Sequence, residues 1–227
     1  MKSLNEDLKT GQFKQIYLLY GEEAYLKKLY KNRFVKAMVP EGDTMNYRYF
    51  EGKNTNPKEI IDLAETLPFF AERRLIVLEN TGFLKNATPE LAEYLKNMPE
   101  TTYMIFVESE LDKRGKLYKA IKEKGHIVEL KRQDEKTLIR WILGMAKKEK
   151  LQMSEAAVRY LLAKTGNDME NLGQELEKLF CYCMNHTEIT AADIDEICTT
   201  QIGNHIFDIY RKIGQNTTRR QKDDYAS

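Results

Sequence analysis

Two hydrophobic periods divide the chain. Up to residue 132, short apolar runs alternate with segments in which apolar residues recur at helical spacing. This alternation is typical of a sheet built from βαβ units. We predict strands at residues 16–20, 47–50, 74–79, 102–108 and 126–130. The first, third and fourth runs are almost continuously apolar, as strands covered on both faces are, so they should form the centre of the sheet.

Helices are predicted between these strands. Apolar residues from Leu26 to Met38 recur at helical spacing, and Pro57 and Pro89 are each suited to the first turn of a helix. A further helix should end at Gly125. Right-handed crossovers between the strands then give an open, mostly parallel, three-layer α/β domain.

After Gln133 the period changes from two to 3.6, which predicts an all-helical region without a further strand. Ser154, Asp168 and Thr190 are predicted N-caps, and Asp193 completes a capping box with Thr190. The clearest apolar stripe in the chain consists of Met169, Leu172, Leu176, Leu179, Phe180 and Cys183.

These periods define the expected domain organisation. Residues 1–133 form the α/β domain, and residues 134–200 form the helical domain. Residues 201–227 begin with a last helical pattern and end in a polar tail without an apolar face to bury. Such a tail is expected to be mobile.

The composition excludes several classes of protein. Three cysteines are too few, and odd in number, for a disulfide framework, which is typical of a reducing compartment. The longest apolar runs are far shorter than the roughly 18 residues of a membrane span, and the polar N-terminus lacks the apolar region of a signal peptide. We therefore expect a cytoplasmic protein without a membrane partner. The 36 basic and 35 acidic residues nearly balance, so contact with nucleic acid would need a local basic patch.

The turn after the first strand has the position of a P-loop but not its residues. A P-loop needs the pattern GxxxxGK[ST], because a second glycine lets the backbone surround phosphate and a hydroxyl holds Mg²⁺. After Gly21, Leu26 replaces the second glycine and Lys28 replaces the hydroxyl. Glu22 and Glu23 place carboxylates at the N-terminus of the following helix, where the positive end of the helix dipole would otherwise favour a bound phosphate. We interpret this turn as a helix cap and expect no nucleotide cofactor.

Other catalytic and metal-binding patterns are incomplete. The sequence contains neither a GxSxG elbow nor an HExxH pair. Cys181, Cys183, His186 and Cys198 offer ligand types that zinc prefers. Residues i and i+2 of a helix lie about 200° apart, however, so Cys183 should join the apolar stripe while Cys181 points away from it. We expect no metal site, and we expect buried thiols at Cys183 and Cys198.

A basic run extends over residues 112–132, where eight basic residues stand against three acidic ones. Such a run is able to bind nucleic-acid phosphates or an acidic partner, with Lys113, Arg114, Lys116 and Lys119 as candidate contacts. The solvated face of a helix explains these residues equally well, because no aromatic or glycine signature accompanies the charge. Both interpretations stay open.

A short apolar segment, Leu67-Pro68-Phe69-Phe70, lies between a predicted helix and a central strand. Pro68 should stop the helix, which leaves two adjacent phenylalanines on the connection, where both cannot easily point into one core. Bulky apolar residues on a turn are a common anchor of protein interfaces. From the residues alone, an interface and a plug of the core are equally good interpretations.

Several segments carry a further signal when they are taken in order. They are IYLLYGEEAYLKKLY (16–30), LPFFAERRLIVLEN (67–80), YMIFVESELDKRGKLYKAI (103–121), the helix around Trp141, and NDMENLGQELEKLFCYC (167–183) followed by ITAADIDEI. Each segment alone is a weak motif, but the ordered set is specific. Over roughly residues 13 to 210, the chain resembles the δ subunit family of bacterial DNA polymerase III clamp loaders.

The resemblance implies a divergent AAA+ architecture, in which a RecA-like α/β domain is followed by a small helical lid domain. In that family, δ binds the β sliding clamp and opens the ring for loading onto primed DNA, in complex with the γ/τ and δ′ subunits and without binding ATP itself. It is a non-catalytic subunit of the DNA polymerase III holoenzyme, so we assign no catalytic residue, cofactor or metal. The clamp-binding element of the family is a hydrophobic pair before the third strand. That pair falls on Phe69 and Phe70, flanked by Leu67 and Pro68.

The family also carries a third, helical collar domain of about a hundred residues, the usual size of one domain. Residues 201–227 are expected to be the start of a truncated collar domain. Two rival functions remain at this point. One is a nucleic-acid-binding module that uses the basic residues 113–132, and the other is an ATPase with an unrecognised nucleotide site.

Overall fold

Residues 2–200 are described by a computed structural model, in which the chain forms two compact units. The first unit ends at Arg132 and the second begins at Gln133. The helical pattern and the tail expected within residues 201–227 lie outside the described residues.

A five-stranded parallel sheet forms the centre of the first unit. Its strands are β1 (Ile16–Tyr20), β2 (Tyr47–Glu51), β3 (Arg74–Glu79), β4 (Thr102–Glu108) and β5 (His126–Glu129). They lie in the order β2-β3-β4-β1-β5. The three strands with continuous apolar runs, β1, β3 and β4, occupy the centre and are almost completely buried, which confirms the prediction. The predicted ends of β2 and β5 are wrong by one residue each.

Helices cover both faces of this sheet. They are α1 (Lys2–Thr10), α2 (Ala24–Met38), α3 (Pro57–Ala64), α4 (Pro89–Tyr94) and α5 (Lys116–Lys124). Ile16, Leu18 and Tyr20 of β1 pack into one core with residues of α3, α4 and α5. Between them along the strand, Tyr17 packs on Phe34 of α2, with ring centroids 4.4 Å apart. Because successive side chains of a strand point to opposite faces, these contacts confirm the three-layer α/β arrangement.

The first helix is not predicted from the sequence. Leu4 is the one residue of α1 that is buried. Asp7 accepts a hydrogen bond from the Tyr17 hydroxyl at 2.9 Å, and Asn5 accepts one from Arg33 at 2.7 Å. Polar contacts with β1 and α2 therefore hold a helix that has too few apolar residues to show a helical period.

The second unit is mainly helical. Its described elements are α6 (Glu135–Lys148), β6 (Gln152–Met153), α7 (Glu155–Thr165), α8 (Met169–Tyr182), β7 (Glu188–Ile189) and α9 (Ala191–Ile197). The expectation of no strand after Gln133 is wrong, because β6 and β7 form a short parallel pair. A strand of two residues is too short to show an alternating pattern.

The predicted caps and the burial of the second unit agree with the structure. Ser154 and Asp168 cap α7 and α8, and Thr190 forms the capping box with Asp193. The residues of the apolar stripe are buried, apart from Phe180, which is half-buried. Across residues 2–200, no helix combines the length and the apolar character that crossing a bilayer requires.

Candidate functional site

The connection between α3 and β3 presents large apolar side chains to solvent. Leu67, Phe69 and Phe70 are 78%, 56% and 95% exposed, and Pro68 is half-buried. These four residues are called the apolar loop below. Neither phenylalanine enters the core, so the interpretation as a core plug is wrong. The interface interpretation is the one that agrees with this exposure.

The apolar loop has an unusual backbone conformation. Phe70 has φ of +49°, in the left-handed region that bulky residues rarely enter. The rings of Phe69 and Phe70 meet edge to face, with centroids 4.6 Å apart and planes at 82°. A backbone conformation of this kind persists only where the surrounding structure holds it.

Two buried polar side chains hold the apolar loop. Asn46 donates from Nδ2 to the Phe69 carbonyl at 2.9 Å and accepts at Oδ1 from the Phe69 N–H at 2.6 Å. Arg74, the first residue of β3, donates to the carbonyl oxygens of Thr66 at 3.4 Å and Leu67 at 3.1 Å. The backbone groups of the loop thereby gain the partners that a partly buried chain needs. Sequence reasoning identified neither residue, because a single polar residue beside a strand carries no periodic signal.

The turn after β1 packs against the residue that follows β5 and caps α2. Gly21 has φ of +122°, and a Cβ atom added there would lie 2.5 Å from the Leu130 carbonyl oxygen. The glycine therefore permits close approach of two chain segments. Glu23 is the N-cap of α2 and accepts a hydrogen bond from the Tyr25 N–H at 3.3 Å. The predicted capping role of this turn is confirmed.

Lys27 occupies the lysine position of the GxxxxGK pattern, yet its ammonium group contacts the protein itself. The side chain is buried, and Nζ donates to Ser109 Oγ at 2.8 Å and to the Glu108 carbonyl oxygen at 3.5 Å. Burial lowers the pKa of Lys27, while the nearby carboxylates of Glu79, Glu108 and Glu23 act in the opposite direction. The ammonium group is thus directed toward the end of β4 and away from solvent.

Two carboxylates at strand ends, Glu79 and Glu108, lie near Lys27 and form a charge cluster with it. Glu79, at the end of β3, forms an ion pair with Lys31. Glu108, at the end of β4, accepts hydrogen bonds from the N–H and hydroxyl of Thr81 at 3.0 and 2.8 Å and from the Gly82 N–H at 3.2 Å. Burial raises the pKa of Glu108, and these hydrogen bonds oppose that effect. The role of Glu108 was not predicted, since its partners, Thr81 and Gly82, lie in the turn that follows β3 and are far from Glu108 in the sequence.

We expect the protein not to bind ATP. Its lysine at the P-loop position is bonded internally, and the turn carries the carboxylates of Glu22 and Glu23. Calorimetric titration with Mg-ATP should show no saturable heat, with an ATP-binding AAA+ protein as the positive control. Saturable binding at micromolar nucleotide would contradict this prediction and support the ATPase alternative.

The cysteines of the second unit are placed as predicted, since Cys183 and Cys198 are buried and Cys181 is exposed. The structure also brings Asp193, which the sequence did not indicate as a ligand, close to two of the candidate zinc ligands. Ligand atoms of Cys183, His186 and Asp193 lie within 4.8 Å of one another. The Asp193 carboxylate already caps α9, and burial raises the pKa of the Cys183 thiol, which opposes the thiolate that zinc requires.

We therefore expect a metal chelator to leave the melting temperature unchanged, because structural zinc contributes directly to folding. Metal analysis of the purified protein should find no stoichiometric zinc. One tightly bound equivalent of zinc would contradict this prediction if a Cys183→Ser variant loses the metal and the control variant Cys181→Ser retains it.

The four candidate cations of the basic run lie around the N-terminal end of α5. Lys113, Arg114, Lys116 and Lys119 are all exposed. Lys113 lies over the ring of Tyr20, with Nζ 5.2 Å from the ring centroid, while Arg114 pairs with Asp112 at 3.1 Å. Lys116 and Lys119 form no ion pair within the described part of the chain. Two of the four candidate cations are thus available to an external partner.

The arrangement of the first unit places the protein in a known class of fold. The structure of RuvB from Thermotoga maritima, a Holliday junction branch migration motor, matches with a TM-score of 0.51 and 14% identity. The match covers 86% of this chain and 65% of that one, and at this identity it shows the fold alone. The chain therefore has the α/β fold of AAA+ proteins, as the sequence predicted.

Closer relatives define the family. The family model for DNA polymerase III, delta subunit, matches residues 17–131, and the chain belongs to this family. The structure of the Bacillus subtilis DNA clamp loader delta protein matches with a TM-score of 0.72 and 26% identity, covering 99% of this chain and 70% of that one. The family predicted from the sequence is confirmed.

Two curated relatives agree with this assignment. The DNA polymerase III subunit delta of Bacillus subtilis is 28% identical over 220 residues, which cover 92% of this chain. The probable subunit delta of Aquifex aeolicus is 25% identical over 195 residues, which cover 81% of this chain. The alignments span 63% and 54% of the lengths of these two relatives.

Proposed function

We propose that this protein acts as the δ subunit of a replicative clamp loader. It binds the β sliding clamp through the apolar loop, Leu67 to Phe70, and opens the ring for loading onto primed DNA. It works with the γ/τ and δ′ subunits and supplies no catalytic residue of its own. The second unit serves as the small helical lid domain of the AAA+ architecture.

The exposure of the apolar loop is the observation that carries this proposal. Phe70 is 95% exposed and projects from a loop whose backbone is bonded to Asn46 and Arg74. Aromatic side chains in the centre of an interface contribute a large share of binding energy, and an aromatic side chain with two rotatable bonds loses little entropy on docking. The family membership supports the sliding clamp as the partner, and the exposed phenylalanines offer an apolar surface on which it could bind.

Opening a closed ring requires free energy, and we expect no nucleotide to supply it within this chain. A ligand shifts a conformational equilibrium only by as much as its affinity differs between the two conformations. The protein should therefore bind the open ring more tightly than the closed ring. In this mechanism the apolar loop provides affinity for the clamp. The free energy for opening comes from the tighter binding of the open ring than of the closed ring.

Mixing the protein with the clamp of the same organism tests this proposal directly. We expect the two proteins to co-elute from a sizing column at micromolar concentration. A clamp whose subunit interfaces are cross-linked by engineered disulfides should bind more weakly than the same clamp after reduction. Failure to bind the reduced clamp would contradict the proposed function.

A second candidate function, direct binding to nucleic acid, is supported by the exposed Lys116 and Lys119. The affinity of a protein for DNA falls as the salt concentration rises. In a plot of log affinity against log salt concentration, each cation that neutralises a phosphate of duplex DNA adds roughly 0.9 to the steepness of the slope. A Lys116→Ala, Lys119→Ala variant should therefore lower this slope by about 2 if both residues contact DNA. The matched control is Lys147→Ala, Lys148→Ala, at exposed lysines of α6. An unchanged slope in the first variant would remove these residues from the DNA contact.

A further inference from the structure

A fourth large apolar side chain is exposed beside the apolar loop. Met45, just before β2, is 61% exposed. Arg74 donates from Nη1 to the Met45 carbonyl at 3.1 Å and from Nη2 to the Leu67 carbonyl at 3.1 Å. A guanidinium group is planar and presents its donors in a fixed fork, so the two carbonyl oxygens bound to it lie side by side. Met45 and Leu67 therefore belong to one stretch of surface, although 22 positions separate them in the sequence.

The same segment also determines the position of Phe69. Asn46 forms two hydrogen bonds with the backbone of Phe69, one as donor and one as acceptor. The carboxylate of Asp43 orients the Asn46 side chain by accepting from Nδ2 at 2.8 Å. It also accepts from the backbone N–H groups of Met45 and Asn46 at 3.0 and 2.9 Å. These bonds to Asn46 and Met45 lower the pKa of Asp43, so the carboxylate is charged and able to accept at neutral pH.

We propose that the clamp-binding surface is built from two segments, residues 43–46 and the apolar loop, with Met45 as an additional apolar contact and with Asn46 and Arg74 as positioning residues. The inference rests on the proposed function, because its partner is the sliding clamp. Asn46 and Arg74 are themselves buried and act through the backbone of the loop.

The physical reason for such positioning is the entropy cost of ordering a loop on binding. A loop that is already held in its bound conformation avoids that cost, so preorganisation raises affinity without a new contact. This cost should be large for Phe70, because a bulky residue would rarely adopt φ of +49° in a free loop. The bonds to Phe69 hold the residue immediately before it. Loss of these bonds should therefore release Phe70 into conformations that do not fit the partner.

Met45 can be tested with a matched exposed methionine. A Met45→Ala variant should bind the clamp about three- to tenfold more weakly, a loss expected of one apolar contact near the edge of an interface. Its melting temperature should be unchanged, because the side chain is mostly exposed. The control is Met184→Ala, at a 70% exposed methionine of the second unit, which should bind like the wild type. Equal affinity of both variants would show that Met45 is not a contact.

The positioning residues need a readout that general damage to the fold would not reproduce. An Asn46→Ala variant should lose about tenfold in clamp affinity, roughly the effect of one net hydrogen bond. If Asn46 acts by holding Phe70 in its bound conformation, the same change should cost only about twofold in a Phe70→Ala background, since coupled residues are non-additive. Faster hydrogen exchange at the Phe69 amide should accompany the loss. Equal fold-losses in both backgrounds, or an unchanged exchange rate, would overturn the positioning role.

Arg74 provides an independent variant with a neighbouring control. Arg74→Met removes the bonds to Met45, Thr66 and Leu67, and we expect about a tenfold loss of clamp affinity, roughly that of Asn46→Ala. The control is Arg73→Met, which removes the neighbouring positive charge. Arg73 pairs with Glu72 and donates to none of these carbonyl oxygens, so this variant should bind the clamp with near wild-type affinity. Equal losses in the two arginine variants would indicate a charge effect and would contradict positioning by Arg74.

The outcomes separate this inference from the proposed function. If the Phe69→Ala, Phe70→Ala variant binds the clamp normally, the proposed function itself is wrong. If that variant loses the clamp while the Met45, Asn46 and Arg74 variants bind like the wild type, only the two-segment surface is wrong.

Discussion

Replacing Phe69 and Phe70 together with alanine should abolish detectable clamp binding while the protein keeps its wild-type melting temperature. Truncating a central aromatic anchor commonly costs ~2 to 4 kcal/mol, or about 30-fold to nearly 1000-fold in affinity. The fold should be unaffected, because the two side chains are mostly solvent-exposed and contact each other. Sizing chromatography with the clamp and a thermal melt measure the two effects separately.

A control variant should be Tyr182→Ala, which removes an exposed aromatic side chain from the second unit. It should bind the clamp like the wild type. The prediction fails if the double phenylalanine variant still co-elutes with the clamp. It also fails if that variant melts early, because a loss of binding would then follow from unfolding.

The second large effect concerns stability. A Glu108→Ala variant should unfold with ~3 to 5 kcal/mol less free energy. It removes a buried carboxylate that accepts three hydrogen bonds, so three donors lose their partner, and it removes one of the three carboxylates near the ammonium group of Lys27. For a chain of this size the melting temperature should fall by about 10 °C. Chemical denaturation followed by circular dichroism measures the difference.

Glu110 supplies the matched control for this prediction. It lies two residues further along and pairs with Lys85, but both side chains are largely exposed. Exposed ion pairs contribute at most about 1 kcal/mol, so Glu110→Ala should melt almost like the wild type. Similar losses in the two variants would show that the buried cluster around Glu108 has no special role in stability.

The charge cluster of Lys27, Glu79 and Glu108 is the physical reason to expect no nucleotide at the P-loop position of this protein. Lys27 lies at the P-loop position, and Glu79 and Glu108 lie at the ends of neighbouring strands. Here the three charges are satisfied by one another and by Lys31, Ser109 and Thr81. The carboxyl ends of β3 and β4 are therefore occupied by groups of the protein itself, whereas the apolar loop before β3 is exposed to solvent.

The central sheet could be predicted because its signals are local. The runs of β1, β3 and β4 are long enough and apolar enough to identify buried strands, and caps such as Ser154 and Asp168 require only the neighbouring residues. Segments that lack a local signal were missed. The helix α1 is held by Tyr17 and Arg33, and β6 pairs with β7 across more than 30 residues of chain.

For the candidate site, the amino-acid sequence alone identified the segment, since Leu67 to Phe70 stand before a central strand, and its ordered motifs identified the δ family. Only the tertiary structure decided that both phenylalanines face solvent, because a connection between elements has no period that assigns its side chains to a face. The same is true of Met45, Asn46 and Arg74. Hydrogen bonds between segments far apart in the chain depend on how the backbone is placed in three dimensions, and no local pattern of residue types records that placement.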